Sequence, residues 1–494
     1  MTDTSISSEP LATTAEVSKP STKRLALHGT VWTVIGYGLS QVLRLGSNLI
    51  LTRLLAPSMF GVIALVQVTM QGLQMFSDIG VGWSVIRAKA DDENFLNTAW
   101  TIQFLRGWAL WLGCAVMAFP VARFYHVPVL GFLLVVSGFQ PVIDGLQSMS
   151  LALENKKLAI KNLTLLALAA QIIGLSCMVT VAFITRSVWA LIVGGLVNQT
   201  VVTLGSYFYI PAIWPRIKWD KKAVHEIFTF GKWIFVSTMM TFLAGQVDRF
   251  MLGKLVPLAM LGVYAVAMNL ATLPNSVITH IAGMILYPIL AKHAEDDRAV
   301  YVRKVLKARR LMLPVAIVIV GGLATAAQPF FHWLYDSRYA DAGWMAQLLT
   351  IYIWFWMLQA SADRALVALG DTRSLFVSNV VNLTMTLLGC LVGYHLGGMF
   401  GFIIGLSLSS LCGHLVVEVA MYLHGINIVL QDIGATVIGA AVVAVALGVG
   451  YLAGMEVPGD WRQATIWVVP NLLMLGLGLA AAVHVRRMLR EIKG

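Results

Sequence analysis

The stretch GKWIFVSTMMTFLAGQVDRFMLG (231–253) is apolar for most of its length and then places Asp248 beside Arg249. A mostly apolar run of about 20 residues is the length of a helix that crosses hydrocarbon. A charge at the centre of an isolated spanning helix costs roughly 2.5–3.5 kcal/mol on insertion scales. A segment with both features predicts a spanning helix with one side turned to protein or water rather than to lipid.

Similar runs recur along the chain. Of its 494 residues, 58% are hydrophobic and 12% are charged, and the mean hydropathy is +0.78. Soluble domains carry about 25% charged residues. About fourteen runs have spanning length: 31–51, 60–86, 98–119, 128–151, 163–184, 188–211, 231–253, 260–288, 311–332, 343–368, 374–396, 398–423, 431–454 and 463–484. The predicted fold class is an all-α polytopic membrane protein.

The formal charge of +11 is distributed by loop parity. Of the 35 Lys and Arg, 24 fall in the two tails and the even-numbered loops, among them Lys221, Lys222 and the run from Arg298 to Arg310. Six fall in the odd-numbered loops: Arg53, Arg123, Arg186, Lys254, Arg338 and Arg462. Positively charged loops stay on the cytoplasmic side, so both termini are expected there, as an even number of spans requires. The basic balance is thus a topology signal, and no nucleic-acid partner is expected. Cys114, Cys177, Cys390 and Cys412 are scattered within spans and the histidines do not cluster, so neither a disulfide framework nor a metal site is expected.

Two parts of the chain match at an offset of 201. GTVWTVIG (29–36) aligns with FGKWIFVS (230–237), and RLLAPSMFGVIAL (53–65) with KLVPLAMLGVYAV (254–266). Arg53 falls on Lys254 and Gly61 on Gly262. Halves repeated in one orientation about an axis normal to the membrane are a transporter architecture. The expected organisation is a disordered cytoplasmic tail (1–28), an N-lobe of six helices (29–211), a cytoplasmic interfacial linker (212–230), a C-lobe of six helices (231–425), and two further helices with a basic tail (426–494). The linker, rich in aromatics and bases, is expected to form a helix lying on anionic headgroups.

Polar residues recur at helical spacing inside the spans. Span 1 carries Tyr37, Gln41, Arg44 and Asn48; span 2 carries Gln67, Gln71, Gln74 and Asp78. Span 4 carries Ser137, Gln140, Asp144 and Ser148, span 7 carries Thr238, Thr241, Gly245 and Asp248, span 8 carries Asn269, Thr272, Ser276 and either Thr279 or His280, and span 10 carries Gln359 and Asp363. Unpaired amides facing lipid are costly, so these stripes meet protein or water. Hydrogen bonds between helices, at about 0.6 kcal/mol each, are one reading. Charged four-residue stripes in both lobes favour the other, a hydrated central cavity.

Candidate cargo-binding residues are Gln41, Arg44, Asn48, Gln71, Gln74, Arg106, Arg249 and Arg364. Arg106 lies about 12 Å into span 3, at 1.5 Å per residue. It binds cargo or pairs with Asp78 or Asp144. Arg249 and Arg364 line the cavity or reach an interface. Asp78, Asp144, Asp248, Asp363 and Glu418 are candidates for ion coupling or for structural pairing. Arginines suit phosphate, and amides suit sugar hydroxyls.

The segments RAKADDENFLNTAW (87–100), FPVARFYHVP (119–128) and FGKWIFVSTMMTFLAGQVDRFMLGKL (230–255) resemble bacterial polysaccharide and O-antigen flippases. These share a superfamily with the multidrug and toxic compound extrusion transporters and the lipid II flippase. The resemblance covers roughly 25–430. It implies a fourteen-helix, two-lobed transporter in the bacterial inner membrane. Such a protein moves undecaprenyl-diphosphate-linked oligosaccharide to the outer leaflet by alternating access. The implied partners are that lipid-linked oligosaccharide, membrane lipids and the polysaccharide polymerase machinery. No cofactor is implied beyond coupling to protons or sodium. The rival readings are an ion-coupled small-molecule antiporter on the same scaffold, and a membrane polymerase or ligase. The latter lacks a sizeable outer loop, and no HExxH, GxSxG or Walker-type loop occurs. A transporter rather than an enzyme is expected.

Overall fold

A computed structural model describes residues 22–77, 81–87, 92–157, 159–210, 214–274, 297–455 and 461–493. Their regular structure is helical throughout: α1 (Thr22–Leu54), α2 (Pro57–Met75), α3 (Val81–Arg87), α4 (Glu93–Tyr125), α5 (Val129–Ser137), α6 (Phe139–Gly145), α7 (Ser150–Lys156), α8 (Ile160–Thr185), α9 (Trp189–Phe208), α10 (Lys221–Leu255), α11 (Leu258–Ala271), α12 (Arg298–Leu334), α13 (Asp341–Ala368), α14 (Thr372–Leu423), α15 (Val429–Met455) and α16 (Trp461–Lys493). Among the described residues, eight helices are long and apolar enough to cross a membrane. A ninth crossing results if the run 129–145 and α7, bent by 61°, form one broken span. α1, α10 and α13, of 33, 35 and 28 residues, are also long enough to cross and carry polar residues within their apolar runs. The chain is a multi-pass membrane protein.

α14 holds two of the expected spans. Its backbone leaves helical geometry at Gly397 and Gly398, and Gly398 has φ +55°, a conformation that costs a residue without Cβ little.

The two lobes meet at the end that carries the odd-numbered loops. There α2 and α11 cross backbone to backbone. A Cβ on Gly61 would lie 2.0 Å from the Leu258 carbonyl oxygen, and one on Gly262 would lie 1.9 Å from the Pro57 carbonyl oxygen. The contact is reciprocal, 57 with 262 and 61 with 258, and each residue is related to its counterpart by the offset of 201. Side chains repeat the pattern. Arg53 Nη2 donates to the Leu334 carbonyl at 3.3 Å, and Lys254 Nζ to the Phe124 carbonyl at 2.8 Å. Tyr125 and Tyr339 hydroxyls donate across the same boundary to Phe250 and Leu55 carbonyls. The largest buried apolar cluster runs through this end, with Leu55, Phe60 and Leu65 against Leu252, Leu261 and Tyr339.

The other end has two smaller clusters. One joins Val81, Phe95, Leu96 and Leu153 to Ala223 and Ile227 of α10. The other lies wholly in the second half, around Tyr301, Val305, Leu366 and Met421.

Two boundaries differ from expectation. Residues 22–28, assigned to the disordered tail, are already helical and form the first turns of α1. Among its described residues the linker forms no separate helix. Residues 214–220 are non-helical, and 221–230 are the first turns of α10. The cause is local. Backbone amides of Arg216, Lys218 and Asp220 donate to the side chains of Asn97, Thr101 and Thr98. Asp220 then caps α10 by accepting from the Lys222 amide. The FLNTAW segment thus anchors the linker to α4, leaving Trp214 and Ile217 exposed at 68% and 77%.

Candidate functional site

Two chambers among the described residues carry polar side chains, the larger of them on a mostly apolar wall. The larger, about 440 Å³, lies between the lobes. α1 supplies Tyr37, Gln41, Arg44 and Asn48, the whole span 1 stripe, and α11 supplies Asn269 and Thr272. Tyr335 and Trp356 line the same chamber. Steps of four and three residues keep the α1 set on one face. Gln41 donates to the Tyr37 hydroxyl at 2.8 Å, and Ser40 exchanges hydrogen bonds with Gln171, which fixes α1 against α8. The Arg44 side chain is exposed to the chamber and has no hydrogen-bond partner among the described residues, so its guanidinium can meet an anion there. The volume falls within the range of small-ligand sites, about 300–1,000 Å³.

The smaller chamber, about 230 Å³, lies within the first lobe. Gln74 of α2, Gln103 and Arg106 of α4, Gln140 and Asp144 of α6, and Gln199 of α9 line it. Glycines make it possible. A Cβ on Gly107 would lie 2.5 Å from the Pro141 carbonyl oxygen, and one on Gly145 would lie 2.9 Å from that of Gln103. α4 and α6 therefore touch through their backbones. Arg106 donates to Ser77 Oγ at 3.0 Å and to the Gln74 carbonyl at 3.1 Å. Gln199 Nε2 donates to Asp144 Oδ1 at 2.8 Å, and Gln103 Nε2 to the Asp144 carbonyl at 2.9 Å. Arg106 makes no direct ion pair with Asp144 among the described contacts, and Asp78 lies outside the described residues.

The other candidates lie apart. Gln71 is half-buried on α2 and lines neither chamber. Asp248 is buried and accepts from the Tyr264 hydroxyl at 2.6 Å. Arg249 donates to Gln246 one turn back, at 2.7 Å. Arg364 and Asp363 are half-buried on α13, and Asp363 keeps one oxygen without a partner. Glu418 belongs to a separate cluster deep in the second half.

Sequence reading missed Gln103, three residues before Arg106 on α4, and Gln199 on α9. It missed Tyr264, whose hydroxyl is the bonding partner of Asp248. It also missed Arg309, His414 and Asp432, which come from three segments.

Outside the spans, two carboxylates are held below their ordinary range. Asp371 lies at about 2, first because the Ser374 hydroxyl donates to it, then through the Ser374 amide and His424. Asp336 is lowered chiefly by its hydrogen bond from Arg338, which also reaches the carbonyls of Thr52 and Arg53.

Two lobes that meet at one end, with a chamber between them lined on one side by a polar helix face and a polar cavity in one of them, define a membrane transporter of the two-lobed class. Residues 50–343 match the family described as "Polysaccharide biosynthesis protein", and the chain belongs to that family. It is similar to the succinoglycan biosynthesis transport protein ExoT of Rhizobium meliloti, at 21% identity over 81% of this chain and 87% of that protein. It is also similar to the lipopolysaccharide biosynthesis protein WzxC of Escherichia coli, at 21% identity over 78% of each. Among solved structures, the lipid II flippase MurJ in an inward closed conformation superposes with TM-score 0.68 at 12% identity, over 93% of this chain and all of that one. An inward-facing multidrug transporter of the MATE family superposes with TM-score 0.62 at 12% identity, over 83% and 99%. These two likenesses concern the fold.

Proposed function

We propose that this protein is a flippase that carries lipid-linked oligosaccharide from the inner to the outer leaflet of the bacterial inner membrane during polysaccharide biosynthesis. The observation that carries the reading is the chamber between the lobes. It has an exposed arginine with amides above and below it on one helix face, and two aromatic rings opposite.

A sugar diphosphate cannot cross hydrocarbon unaided, whereas its polyprenyl tail is at home there. Arg44 would hold the diphosphate through paired N–H donors. Gln41, Asn48 and Asn269 would bond sugar hydroxyls. Tyr335 and Trp356 would offer flat faces to the sugar rings. Arg106 and its ring of glutamines would form a second polar station in the first lobe. Arg249, which corresponds to Asn48 in the repeat, would join the site on rearrangement. Arg364, Gln71 and Gln74 are assigned supporting contacts.

The lobe contacts suit alternating access. With the odd-numbered loops outside, the reciprocal glycine crossing closes the outer end. Two helix backbones in contact have few interlocked side chains to separate, so the crossing can part as a unit. We assign the driving force to a proton or sodium gradient.

Deleting the gene should abolish surface polysaccharide and leave lipid-linked repeat units inside the cell. Arg44→Ala and Arg249→Ala should do the same while protein abundance stays normal. Unchanged polysaccharide in both variants refutes their role. Dye export by purified protein in liposomes, with lipid-linked sugar unaffected, would establish the antiporter reading instead.

A further inference from the structure

A cluster of ionisable groups lies in the second half, away from both chambers. α12 supplies Arg309, α14 supplies His414 and Glu418, and α15 supplies Asp432. Their exposures are 1%, 2%, 9% and 4%. Arg309 donates to Asp432 Oδ1 through Nη2, and to Ser361 Oγ of α13 through Nη1. His414 and Glu418 are four residues apart, on one helix face. Side-chain donor atoms of His414, Glu418 and Asp432 all lie within 4.8 Å of one another. Burial on this scale sets the group apart from an acidic patch on a surface.

Its hydrogen bonding is incomplete. His414 Nε2 lies 3.2 Å from Asp432 Oδ2, yet neither atom has an aligned hydrogen bond. His414 Nδ1 and Arg309 Nε are also buried without partners among the described residues. Buried polar atoms of native proteins are overwhelmingly partnered, so an unpartnered imidazole facing a carboxylate calls for an occupant.

Charge identifies the occupant. With both carboxylates ionised, they and one guanidinium leave a single negative charge when the imidazole is neutral. An uncompensated charge buried in a helix bundle is strongly unfavourable. One proton on His414 balances the group. A divalent cation would reverse its sign, and Arg309 already occupies one oxygen of Asp432. Sodium prefers oxygen ligands, as hard cations do, which a ring nitrogen does not supply. From the neighbouring α13 the bonded groups are the uncharged Ser361 hydroxyl and Leu358 carbonyl, and neither Asp363 nor Arg364 bonds to the cluster among the described contacts.

We propose that His414, Glu418, Asp432 and Arg309 form a binding site for one exchangeable proton, carried on His414. The proton completes the tie between α15 and the helices of the second half. α15 comes after the expected pair of six-helix lobes, so the site couples an added helix to the transporter core. Each residue lies near the end of its helix that bears the even-numbered loops, where the basic segments place the cytoplasm. Using this proton to drive export rests on the flippase reading above; the binding itself does not.

The test uses the full-length protein in lipid nanodiscs with ¹⁵N-labelled histidine, followed by NMR from about pH 5 to about pH 9, the window in which histidines exchange protons. One imidazole, assigned by its loss in His414→Gln, should carry two protons at neutral pH and release one as pH rises. Glu418→Gln removes the excess negative charge at constant shape, and the same imidazole should then be neutral at neutral pH. If His414→Gln fails to fold, Arg309→Gln offers a second assignment. It deepens the charge deficit and should hold the proton to higher pH. A His414 that is neutral in the wild type at every pH overturns the proposal, as does one indifferent to Glu418→Gln. Stoichiometric binding of added Zn²⁺, abolished by His414→Gln, would also overturn it in favour of a metal. In cells, normal polysaccharide export by Glu418→Gln with a neutral His414 would leave the proton site intact and refute its use in transport.

Discussion

Replacing Gly61 by alanine would put a methyl carbon 2.0 Å from the Leu258 carbonyl oxygen. Carbon and carbonyl oxygen approach no closer than about 3.3 Å even in favourable contacts. The α2 and α11 backbones must therefore separate by roughly 1.3 Å, the difference between that limit and the built distance. Overpacking of this kind costs about 1–3 kcal/mol. The clash exists only while the lobes are joined, so the whole penalty falls on the closed state. It shifts the closed–open equilibrium by about 5- to 150-fold toward opening. Gly262→Ala meets the Pro57 carbonyl at 1.9 Å and should act in the same direction by a similar amount. The assay is alkylation of a cysteine placed at Asn48, which lines the chamber, by a membrane-impermeant maleimide added outside intact cells. The background must first be freed of Cys114, Cys177, Cys390 and Cys412. Labelling should accelerate in both glycine variants. It should stay at the wild-type rate in Gly46→Ala, where an added Cβ meets nothing within 4 Å. Wild-type rates in Gly61→Ala and Gly262→Ala alike would refute the reasoning.

Tyr264→Phe removes the hydroxyl that donates to buried Asp248, and a lost hydrogen bond to a charged group costs about 1.5–3 kcal/mol. The midpoint of thermal unfolding in detergent should drop, and an unchanged midpoint would show that the pair is not stabilising. Lys254→Ala loses the bond to the Phe124 carbonyl and the stacking of its ammonium 5.0 Å above the Phe124 ring. Each exposed contact of this type contributes up to about 1 kcal/mol, so labelling at position 48 should rise less than in the glycine variants. Asp371 caps α14 and is held at about 2, chiefly by the Ser374 hydroxyl. Its folded value lies below the unfolded one, so its stabilisation is present above about pH 4 and is lost as pH falls toward 2. Asp371→Ala should cost about 1 kcal/mol near neutrality and nothing at the acid end, as read from urea unfolding at several pH values. A penalty that stays constant with pH would contradict the ionised cap.

The span 1 stripe was legible because its four polar residues recur on one helix face, and one face of a helix can line one space. The stripes of spans 2 and 4 were legible as polar faces too, but not as walls of a separate cavity. Gly107 and Gly145 bring α4 onto α6 there and close the glutamine ring inside one lobe. Gln103 and Gln199 join it from helices with no stripe of their own. The interfacial helix expected for the linker failed because its aromatic and basic composition fits a helix on headgroups equally well. Composition does not report that the Asn97, Thr98 and Thr101 side chains compete for its backbone amides.

Hydropathy, residue spacing and the distribution of Lys and Arg settled by themselves that this chain is a multi-pass helical membrane protein with a repeat at 201. In hydrocarbon a segment must satisfy its own backbone hydrogen bonds, so the helices are written locally. Which polar faces meet was decided only in three dimensions. Arg309 and Asp432 are 123 positions apart and belong to helices whose mutual rotation depends on every contact between them. The reciprocal crossing at Gly61 and Gly262 likewise needs two helices at a distance that no local pattern encodes.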